Sequence, residues 1–337
     1  MKIVLVASPS SFTEQLKKAF IKNGTEILYV NDREIKILPI LKNNIYIWWL
    51  IRKLPVLKRI NNKLFSRGLI NLCRKEKPDL LFVNKGMIVN QGTLKEIKMM
   101  GIKTANWFQE NAYREVYRNW FLNNYQNYDY LFTNDTRLFE DFFNKSTTEF
   151  HYIPTAIDPD YYKLKSLSKE EIIKYFCDVC FVGAFDDRRE RILSKVSEIE
   201  GINLKIFGWK GWEESSLASL YQGPLDVEQM VKLYNFAKIC LNMHVEPITN
   251  CANLKTFEIP AAGGFQLSDY RKDIGGLFEK GKEIEIFKNE DELRSKIKFY
   301  LNNEDLRKNI ALAGQRRVQE HTLEKRVKSM LTYLQVY

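Results

Sequence analysis

The sequence predicts two doubly wound α/β domains, one after the other. Short, nearly continuous apolar runs alternate with longer stretches of helical spacing, which is typical of buried parallel strands joined by helices. The second half of the chain repeats that alternation, as expected for a second sheet covered on both faces. The 337 residues, 45% of them hydrophobic and 28% charged, suit two domains of ordinary size better than one.

In the first half, four apolar runs too short for helices are predicted to be strands: residues 3–7, 80–83, 103–108 and 130–133. Apolar residues between them recur at intervals of three and four. This spacing predicts helices at residues 12–22, 56–75 and 93–100. The first run has too short an apolar core for a signal peptide, so we expect a cytoplasmic protein.

The second half follows the same plan. Its predicted strands are residues 179–182, 204–207, 239–243, 265–267 and 285–287. Its predicted helices are residues 189–199, 227–237, 290–301, 305–320 and 323–334. Parallel sheets of this kind bind ligands at the carboxyl ends of their strands, so we expect the functional residues there.

The break between the halves is predicted at "IPTAIDPDYY", residues 153–162, where two prolines interrupt any periodicity. We therefore expect a first domain at residues 1–158 and a second at 159–320. Residues 321–337 would form a helix that packs back towards the first domain. Asp158 and Asp160 form a DxD motif, but beside Pro159 they indicate a turn rather than a metal-bound nucleotide sugar.

Several classes of protein are disfavoured by what the sequence lacks. The first loop, "ASPSSF", has no GxGxxG pattern and the chain has no GxxxxGK[ST], which argues against a dinucleotide-binding dehydrogenase and a P-loop NTPase. The longest apolar run is broken by Arg52 and Lys53, which argues against a membrane span. Three histidines without ligand spacing predict no metal.

Five cysteines, an odd number, argue against a disulfide framework. Cys177 and Cys180 form a single CxxC on a predicted strand. Residues three apart on a strand point to opposite faces, so we expect two core thiols that do not share a metal.

The net charge of +10 lies mostly in the first half. Residues 1–160 hold 24 basic and 16 acidic side chains, a net +8, whereas the remainder holds 28 and 26, a net +2. Residues 35–75 hold ten basic side chains and no acidic one, with Trp48 and Trp49 among them. The segment from Trp48 to Arg67 is therefore either an amphipathic helix against the anionic inner face of a membrane, or the solvated basic face of a core helix. No nucleic-acid-binding motif accompanies the charge, so no nucleic acid partner is expected.

The stretch "NLKTFEIPAAGG", residues 253–264, places an ionisable pair in an apolar, small-residue run. Asn253 can cap a helix whose first turn, with its unpaired N–H groups, forms an anion site. Lys255 would add a cation for phosphate, and Thr256 lies in the same turn. Glu258, at i+3 from Lys255, is placed to accept hydrogen bonds from a ribose diol. The alternative is a surface Lys–Glu pair on a short helix.

From Asp178 to Arg326 the chain resembles the C-terminal domain of the CgeB-type (spore-maturation-like) glycosyltransferases. The matching pieces are "DVCFVGAFDDRRERIL", "LYQGPLDVEQMVKLYNFAKICLNMH", "NLKTFEIPAAGGFQLSDY" and "DELRSKIKFYLNNEDLRKNIALAGQRRVQEHT". The first half is similar more loosely, in "KPDLLFVNKG", "GIKTANWFQEN", "YDYLFTND" and "YIPTAIDP".

This resemblance implies the GT-B fold, two Rossmann-like domains facing across a cleft, with the acceptor on the first and a nucleotide-sugar donor on the second. Glu258 matches the glutamate that grips the ribose in retaining enzymes. Glu246 is the nearest equivalent of their earlier glutamate near the donor sugar, and a loop carboxylate is the alternative. Glu110 lies where related enzymes carry an acidic side chain, with Asn111 beside it. Glu246 and Glu110 are therefore the candidate catalytic residues.

Further donor-binding candidates follow from position. Gly183 ends a predicted strand, and Arg188 and Arg189 follow in its loop, where a diphosphate would need cations. Alternatively, Arg189 is solvated helix surface. Tyr221 and Gly223 lie in a loop that contacts the base in the resembling enzymes, although Tyr221 could equally be a core residue. His244 ends a predicted strand, where it is either a contact to the donor sugar or a structural residue.

Together with these residues, the resemblance implies metal-independent transfer of a sugar from a nucleoside diphosphate sugar, with retention of configuration, UDP as the expected nucleotide and no cofactor. The acceptor is open, with an anionic or membrane-associated molecule favoured by the basic first half. A sugar-nucleotide-binding module without activity and an epimerase on the same scaffold are the alternatives.

Overall fold

The computed structural model of the chain describes residues 1–34, 53–145, 147–164, 168–209, 211–247 and 249–334. Its contacts divide the chain into two compact units. Unit 1 comprises Met1–Pro154 and Leu323–Tyr337, and unit 2 comprises Thr155–Thr322. The chain therefore leaves unit 1 once, forms unit 2, and then returns to unit 1.

Unit 1 is built on a six-stranded sheet in which neighbouring strands are parallel. Its strands are β1 Lys2–Ala7, β2 Glu26–Asn31, β3 Leu80–Asn84, β4 Lys103–Phe108, β5 Tyr130–Thr133 and β6 Glu149–Tyr152. Their order across the sheet is β2-β1-β3-β4-β5-β6. The helices up to residue 154 are α1 Ser11–Lys22, α2 Pro55–Glu76, α3 Gln91–Met99, α4 Glu115–Asn124 and α5 Thr136–Phe142.

Helix α1 shows how the local sequence starts and orients an element. The side chain of Ser10 accepts a hydrogen bond from the backbone N–H of Thr13 and so caps the first turn. Leu16, Ala19 and Phe20 recur at helical spacing and are buried. The helix is therefore determined both by its cap and by its apolar face.

The sequence prediction missed β2 and β6, the two edge strands of this sheet. A central strand such as β1 is buried on both faces and forms a continuous apolar run. An edge strand is half solvated: β2 has intermediate exposure along most of its length, and β6 begins with the exposed Glu149. The apolar signal that identifies central strands is therefore weak at the edges.

Unit 2 is built on a five-stranded parallel sheet. Its strands are β7 Cys177–Val182, β8 Leu204–Phe207, β9 Ala237–Asn242, β10 Gln266–Asp269 and β11 Glu285–Phe287, in the order β11-β10-β9-β7-β8. Its helices are α6 Lys169–Tyr175, α7 Asp187–Ser197, α8 Val227–Phe236, α9 Lys255–Ala261, α10 Glu290–Asn302 and α11 Glu304–Arg317.

The predicted separation of the two CxxC thiols is wrong. The backbone N–H groups of Asp178 and Val179 both donate to the carbonyl of Asn203, at 3.0 and 3.2 Å, as in a β-bulge. The strict alternation of β7 is lost at this shared acceptor, and Cys177 and Cys180 lie in one buried cluster. Their hydrogen bond and burial raise the pKa of Cys177, which keeps it a protonated thiol.

The chain ends with helix α12, Leu323–Tyr333, which packs against α1 in unit 1. The ammonium of Lys22 lies 3.1 Å from the carboxylate of Glu324, and the side-chain amide of Asn23 donates to the Glu324 carbonyl. Near the start of unit 2, the Asp158 carboxylate accepts the N–H of Asp160 at 3.1 Å, so the DxD motif forms the turn that begins a short 3-10 helix, Pro159–Tyr162.

Each sheet has one point where the strand order reverses. In unit 1 the chain passes from β1 to β2 on one side, and β3 lies on the other side of β1. In unit 2 the reversal falls at β7, between β8 and β9. The loops that follow the two strands at such a point diverge, and the crevice between them is where doubly wound sheets bind ligands.

Candidate functional site

The switch point of unit 2 brings together most of the residues that the sequence analysis named. Gly183 directly follows β7, and Arg188 and Arg189 lie in the first turn of α7. His244 and Glu246 follow β9 on the other side of the crevice. The carboxyl edge of this sheet is therefore the candidate site.

The loops after β7 and β8 approach each other closely. A Cβ added to Gly208 would lie 1.9 Å from the carbonyl oxygen of Gly183, so that contact requires glycine. Tyr221 donates its hydroxyl to the Gly208 carbonyl at 2.8 Å, and the Gly208 N–H donates to Gly223 at 3.1 Å. Tyr221 and Gly223 thus brace the loop that shapes this side of the crevice.

The first turn of α9 is bonded to the side chain of Asn253, and it is less bare than predicted. The side-chain oxygen of Asn253 accepts the N–H of Thr256 at 3.0 Å. Asn242, at the end of β9, pairs with the Asn253 amide through two hydrogen bonds of 2.8 and 3.1 Å. The N–H groups of Phe257 and Glu258 bond to the carbonyl of Leu254. The helix end therefore offers fewer unpaired donors to an anion than we expected.

Glu258 lies one turn into α9 and is 8% exposed. Its Oε1 accepts the hydroxyl of Tyr162 at 3.0 Å, and among the described residues its other oxygen has no hydrogen-bond partner. Lys255 is half-buried and forms no ion pair within the described residues. A cation and a carboxylate thus stand one turn apart, each with hydrogen-bonding capacity left over.

The small residues after α9 do allow close packing. A Cβ on Gly264 would lie 2.7 Å from the carbonyl oxygen of Tyr234. Gly263 has φ +83°, a left-handed conformation that favours glycine. The helix thus packs directly against the end of α8, which fixes the position of Glu258.

Asp269, the last residue of β10, is the centre of a buried network. Its Oδ1 lies 2.6 Å from His244 Nδ1, and its Oδ2 accepts from Arg188 at 3.1 Å and from Arg271 at 2.8 Å. Burial alone would raise the pKa of Asp269, but His244 and the two guanidinium groups outweigh burial and lower it. Burial lowers the pKa of His244, so its ring is neutral at pH 7.

The network corrects two of the predicted ligand contacts. The ring of His244 is 5% exposed, and its second nitrogen, Nε2, accepts the N–H of Asn253 at 3.2 Å. Both ring nitrogens are therefore used internally, and no ring nitrogen remains for a sugar. The role of His244 is to connect β9, β10 and the start of α9.

Arg189 is neither a free cation nor solvated helix surface. It is 7% exposed, and its terminal nitrogens donate to the carbonyls of Ala184 at 2.8 Å and Met243 at 2.7 Å. Its Nε lies 3.2 Å from the Asp186 carboxylate. The guanidinium therefore ties the loop after β7 to the end of β9, because it satisfies carbonyls from both.

Arg188 and Glu246 remain near the surface of the crevice. The Arg188 side chain is 19% exposed and donates to the His244 carbonyl at 3.1 Å as well as to Asp269. Its Nε lies 3.5 Å from the carboxylate of Glu246, whose side chain is 57% exposed. This pair is where the network reaches solvent.

Sequence reasoning missed Tyr162, Asp269 and Arg271. Asp269 and Arg271 lie in "SDYR" at the carboxyl end of a predicted strand, which is the position where functional side chains are expected. The position of these two residues at the end of a strand is therefore the sequence signal that could have identified them. Tyr162 had no such signal, because its contact with Glu258 spans 96 residues.

Glu110 lies in unit 1, just after β4, beside that sheet's switch point. Its Oε1 is 2.5 Å from the ammonium of Lys85, which also donates to the Tyr117 hydroxyl at 3.1 Å. Burial opposes the charge of Lys85, but Glu110 and Tyr117 outweigh it and raise the pKa. Lys85 has φ +66°, a strained conformation for a residue with a side chain.

A second carboxylate, Asp32, follows β2 at the same edge of the unit 1 sheet. It accepts the Ser8 hydroxyl at 2.7 Å, and Arg33 donates to that same hydroxyl at 3.1 Å. Burial raises the pKa of Asp32. Unit 1 thus has its own polar, charge-balanced cluster at the carboxyl ends of its strands.

No set of three or more His, Cys, Asp or Glu side chains in the described ranges is arranged to hold a metal ion. In the same ranges, no helix is both long and apolar enough to cross a membrane. Of the predicted amphipathic segment, residues 48–52 lie outside the described residues. The rest falls in Lys53, Leu54 and α2, where Val56 and Ile60 are exposed.

In the comparison with protein families, residues 188–332 match a family described as glycosyl transferase-like. The match covers the greater part of unit 2 and α12. It does not single out the CgeB-type subgroup, so that finer resemblance stays a prediction. Comparison with curated protein sequences finds no significant match.

Solved structures with similar folds cover nearly the entire chain. A glycosyltransferase from Rickettsia africae matches with a TM-score of 0.68 at 12% identity, over 100% of this chain and 99% of that one. HepE from Anabaena, in complex with UDP-glucose, matches with a TM-score of 0.68 at 11% identity, over 99% of both chains. Sucrose-phosphate synthase from Thermosynechococcus elongatus matches with a TM-score of 0.68 at 12% identity, over 99% of both.

These likenesses establish the fold as GT-B, two α/β domains each built on a parallel sheet. They confirm the predicted fold class. Together with the family match to residues 188–332, they support a glycosyltransferase.

Proposed function

We propose that this GT-B chain transfers a sugar from a nucleoside diphosphate sugar, by preference a UDP-sugar, and that unit 2 binds the donor. The observation that carries the proposal is the pair on α9: Lys255 and the buried Glu258 stand one turn apart beside the sheet's switch point. A nucleoside diphosphate carries an anion and a vicinal diol at a similar separation. The family match and the UDP-glucose complex of HepE support the same donor class.

Lys255 and Arg188 are the proposed diphosphate contacts. Each terminal nitrogen of a guanidinium carries two hydrogens, and Arg188 uses one from each for His244 and Asp269. The remaining hydrogens can be donated to phosphate oxygens. The leaving diphosphate gains charge as the glycosidic bond breaks, so fixed cations stabilise the transition state more than the bound donor.

Glu258 is the proposed ribose contact. One carboxylate oxygen is held by Tyr162, which fixes the side chain in one position, and the other has capacity for the diol. Tyr221 and Gly223 line the loop proposed to contact the base, although the Tyr221 hydroxyl is already bonded to Gly208. Asn253 and Thr256 shape the turn in which Lys255 lies.

Glu246 is the proposed carboxylate beside the donor sugar, since it is exposed and linked to Arg188. We propose retention of configuration, because Glu258 matches the motif of retaining enzymes. Product analysis by NMR distinguishes the outcomes: an anomeric configuration inverted relative to the donor would refute retention.

We propose that the leaving group is stabilised by Lys255 and Arg188 without a metal ion. The test is the rate of transfer after dialysis against EDTA. An unchanged rate supports the proposal, whereas loss of activity that Mg²⁺ or Mn²⁺ restores would refute it.

Unit 1 is the proposed acceptor side. The pair of Lys85 and Glu110 and the Asp32 cluster present carboxylates, an ammonium and hydroxyls at the carboxyl edge of its sheet. Such groups suit an acceptor rich in hydroxyls, and the ammonium of Lys85 has one N–H left beyond those that bond to Glu110 and Tyr117. We propose that Glu110 orients the acceptor hydroxyl through Lys85 rather than acting as a free base.

The basic surface of α2 suggests that the acceptor is reached at an anionic membrane. Lys58, Arg59 and Lys63 are exposed next to Val56 and Ile60, which are 66% and 43% exposed. Such a face has both the charge and the apolar contacts that anionic headgroups favour. Sedimentation with anionic and neutral liposomes tests this. Binding to anionic vesicles at low salt that is lost in the K58E/R59E/K63E variant supports it, and no binding would refute it.

The function itself is tested by a thermal-shift screen of nucleotides and nucleotide sugars, followed by a donor-turnover assay. A ligand that binds only the folded state stabilises it by about 2.7 kcal/mol at roughly 100 times its dissociation constant. Slow release of nucleoside diphosphate supports a transferase. Binding without turnover indicates a binding module, and a changed sugar without release indicates an epimerase; either would refute transfer.

A further inference from the structure

Asp269 accepts hydrogen bonds from three different elements of unit 2. His244 comes from the loop after β9, Arg188 from α7, and Arg271 from the turn after β10. The carboxylate is 4% exposed, so no water competes for these bonds. No candidate ligand contact includes Asp269, yet two of the proposed contacts, Arg188 and the α9 turn, depend on what it holds.

We propose that Asp269 is a positioning residue of the nucleotide site, which holds His244 in its Nδ1–H tautomer and thereby fixes the first turn of α9 and its Lys255 and Glu258. This inference rests on the proposed binding of a nucleoside diphosphate sugar to unit 2. It adds a residue that touches no substrate and sets the geometry of those that do.

The first step of the argument is the tautomer. His244 Nδ1 faces the Asp269 carboxylate at 2.6 Å, and Nε2 faces the backbone N–H of Asn253 at 3.2 Å. A carboxylate can only accept, and a backbone N–H can only donate. The one neutral ring that satisfies both carries its proton on Nδ1 and a lone pair on Nε2.

The second step runs from His244 to the helix. The N–H of Asn253 is bound by His244, and the side chain of Asn253 caps Thr256 at 3.0 Å. Lys255 lies between these two residues, and Glu258 follows within the same seven-residue helix. A displaced Asn253 would therefore shift the cation and the carboxylate together.

The third step explains why a carboxylate is needed. Asp269 faces the ring and the backbone N–H of His244 on one side and the guanidinium groups of Arg188 and Arg271 on the other, and all of these groups donate. An asparagine has a single acceptor oxygen, so it cannot serve both sides. The two cations hold the amide oxygen, so its NH₂ faces both the backbone N–H and Nδ1 of His244, and the ring proton moves to Nε2. Nε2–H and the Asn253 N–H would then oppose each other as two donors.

The experiment combines a spectroscopic readout with nucleotide binding by the full chain. Nitrogen-15 NMR of labelled histidine rings resolves the tautomer of each ring, and the chain holds only three histidines, at 151, 244 and 321. The H244N variant identifies the His244 signals by their loss. We expect Nδ1–H in the wild type and Nε2–H in D269N.

UDP affinity is measured on the same variants by titration calorimetry. We expect D269N to bind UDP about 10- to 100-fold more weakly, the scale of one lost hydrogen bond to a charged group. D178N is the matched control: Asp178 is also ion-paired, to Lys238 at 2.7 Å, but it lies at the amino end of β7. We expect D178N to bind UDP as the wild type does.

If D269N fails to fold, two histidine variants replace it. The amide of H244Q can reach the position of Nε2 and accept from Asn253, whereas the shorter amide of H244N reaches only that of Nδ1. We expect H244Q to retain more UDP affinity than H244N, and the reverse order would overturn the inference.

The outcomes separate this inference from the proposed function. A wild type that binds no nucleotide refutes the proposed donor site, and the inference falls with it. A wild type that binds UDP but shows Nε2–H at His244 overturns the inference alone. So does a D269N variant whose tautomer changes while its UDP affinity does not.

Discussion

Replacement of Glu258 by glutamine is the most direct test of the donor site, because it changes charge and leaves shape almost intact. Glu258 is 8% exposed, and one oxygen accepts the Tyr162 hydroxyl at 3.0 Å. A glutamine carbonyl can still accept that bond, so we expect the fold to persist. The other oxygen becomes an NH₂ group, which cannot accept a hydrogen bond from a ribose hydroxyl.

The expected loss follows from the kind of bond removed. A hydrogen bond to a charged group contributes about 1.5–3 kcal/mol. Because about 1.4 kcal/mol corresponds to tenfold in affinity, E258Q should weaken UDP binding roughly 10- to 150-fold. Lys255, which is half-buried, is unchanged in this variant and can still contact the phosphates. Binding should therefore be weakened and not abolished.

The assay is titration calorimetry of wild type and E258Q with UDP and with 2′,3′-dideoxy-UDP. If Glu258 binds the ribose diol, the variant loses affinity for UDP, but both proteins bind the dideoxy ligand equally weakly. This cycle isolates the contact between carboxylate and diol from any general damage. An equal loss for both ligands, or no loss for UDP, would refute the assignment of Glu258 to the ribose.

Three further predictions follow from packing and titration. Gly208→Ala should lower the free energy of unfolding by about 3 kcal/mol or more, because its Cβ would lie 1.9 Å from the Gly183 carbonyl oxygen. Gly275→Ala is the control: a Cβ there has no atom within 4 Å, so the free energy of unfolding should change by less than about 0.5 kcal/mol. A thiol reagent at pH 8 should label native protein at Cys251 only, because the other four cysteines are buried. Burial lowers the pKa of His244 in the folded protein, so the free energy of unfolding is retained above about pH 6.5 and falls as the pH drops below it. The fall should be steeper in the wild type than in H244N, by up to about 1.4 kcal/mol per pH unit.

Each of these has a clear opposing result. Equal stability of the two glycine variants in urea unfolding would contradict the close approach of the two loops. Mass spectrometry that finds a buried cysteine labelled at the rate of Cys251 would contradict the packing of the core. Parallel pH profiles for wild type and H244N would show that His244 is not buried as a neutral ring.

The central strands, the long helices and the fold class could be predicted from the chain alone. Buried parallel strands are apolar on both faces, so they leave a continuous local signal. The spacing of Lys255 and Glu258 is equally local, since three residues along one helix always share a face. The edge strands β2 and β6 were missed, because their solvated faces dilute that signal.

The partners of the site side chains could not be predicted in this way. His244 and Arg189 were expected to be available to a ligand, but neighbouring strand ends use their hydrogen bonds internally. The separation of Cys177 and Cys180 was predicted wrongly, because the hydrogen bonds of Asp178 and Val179 to Asn203 depend on the neighbouring strand and not on the CxxC spacing.

The amino-acid order thus determines which segments are strands and helices, and that Lys255 and Glu258 face the same way. It does so because backbone periodicity and the burial of apolar side chains act over a few residues. Which polar groups stay free was decided only by the folded arrangement. Arg188 meets Asp269 across 81 residues, and Tyr162 meets Glu258 across 96. Such bonds form where the carboxyl ends of parallel strands converge, and no local pattern encodes that convergence.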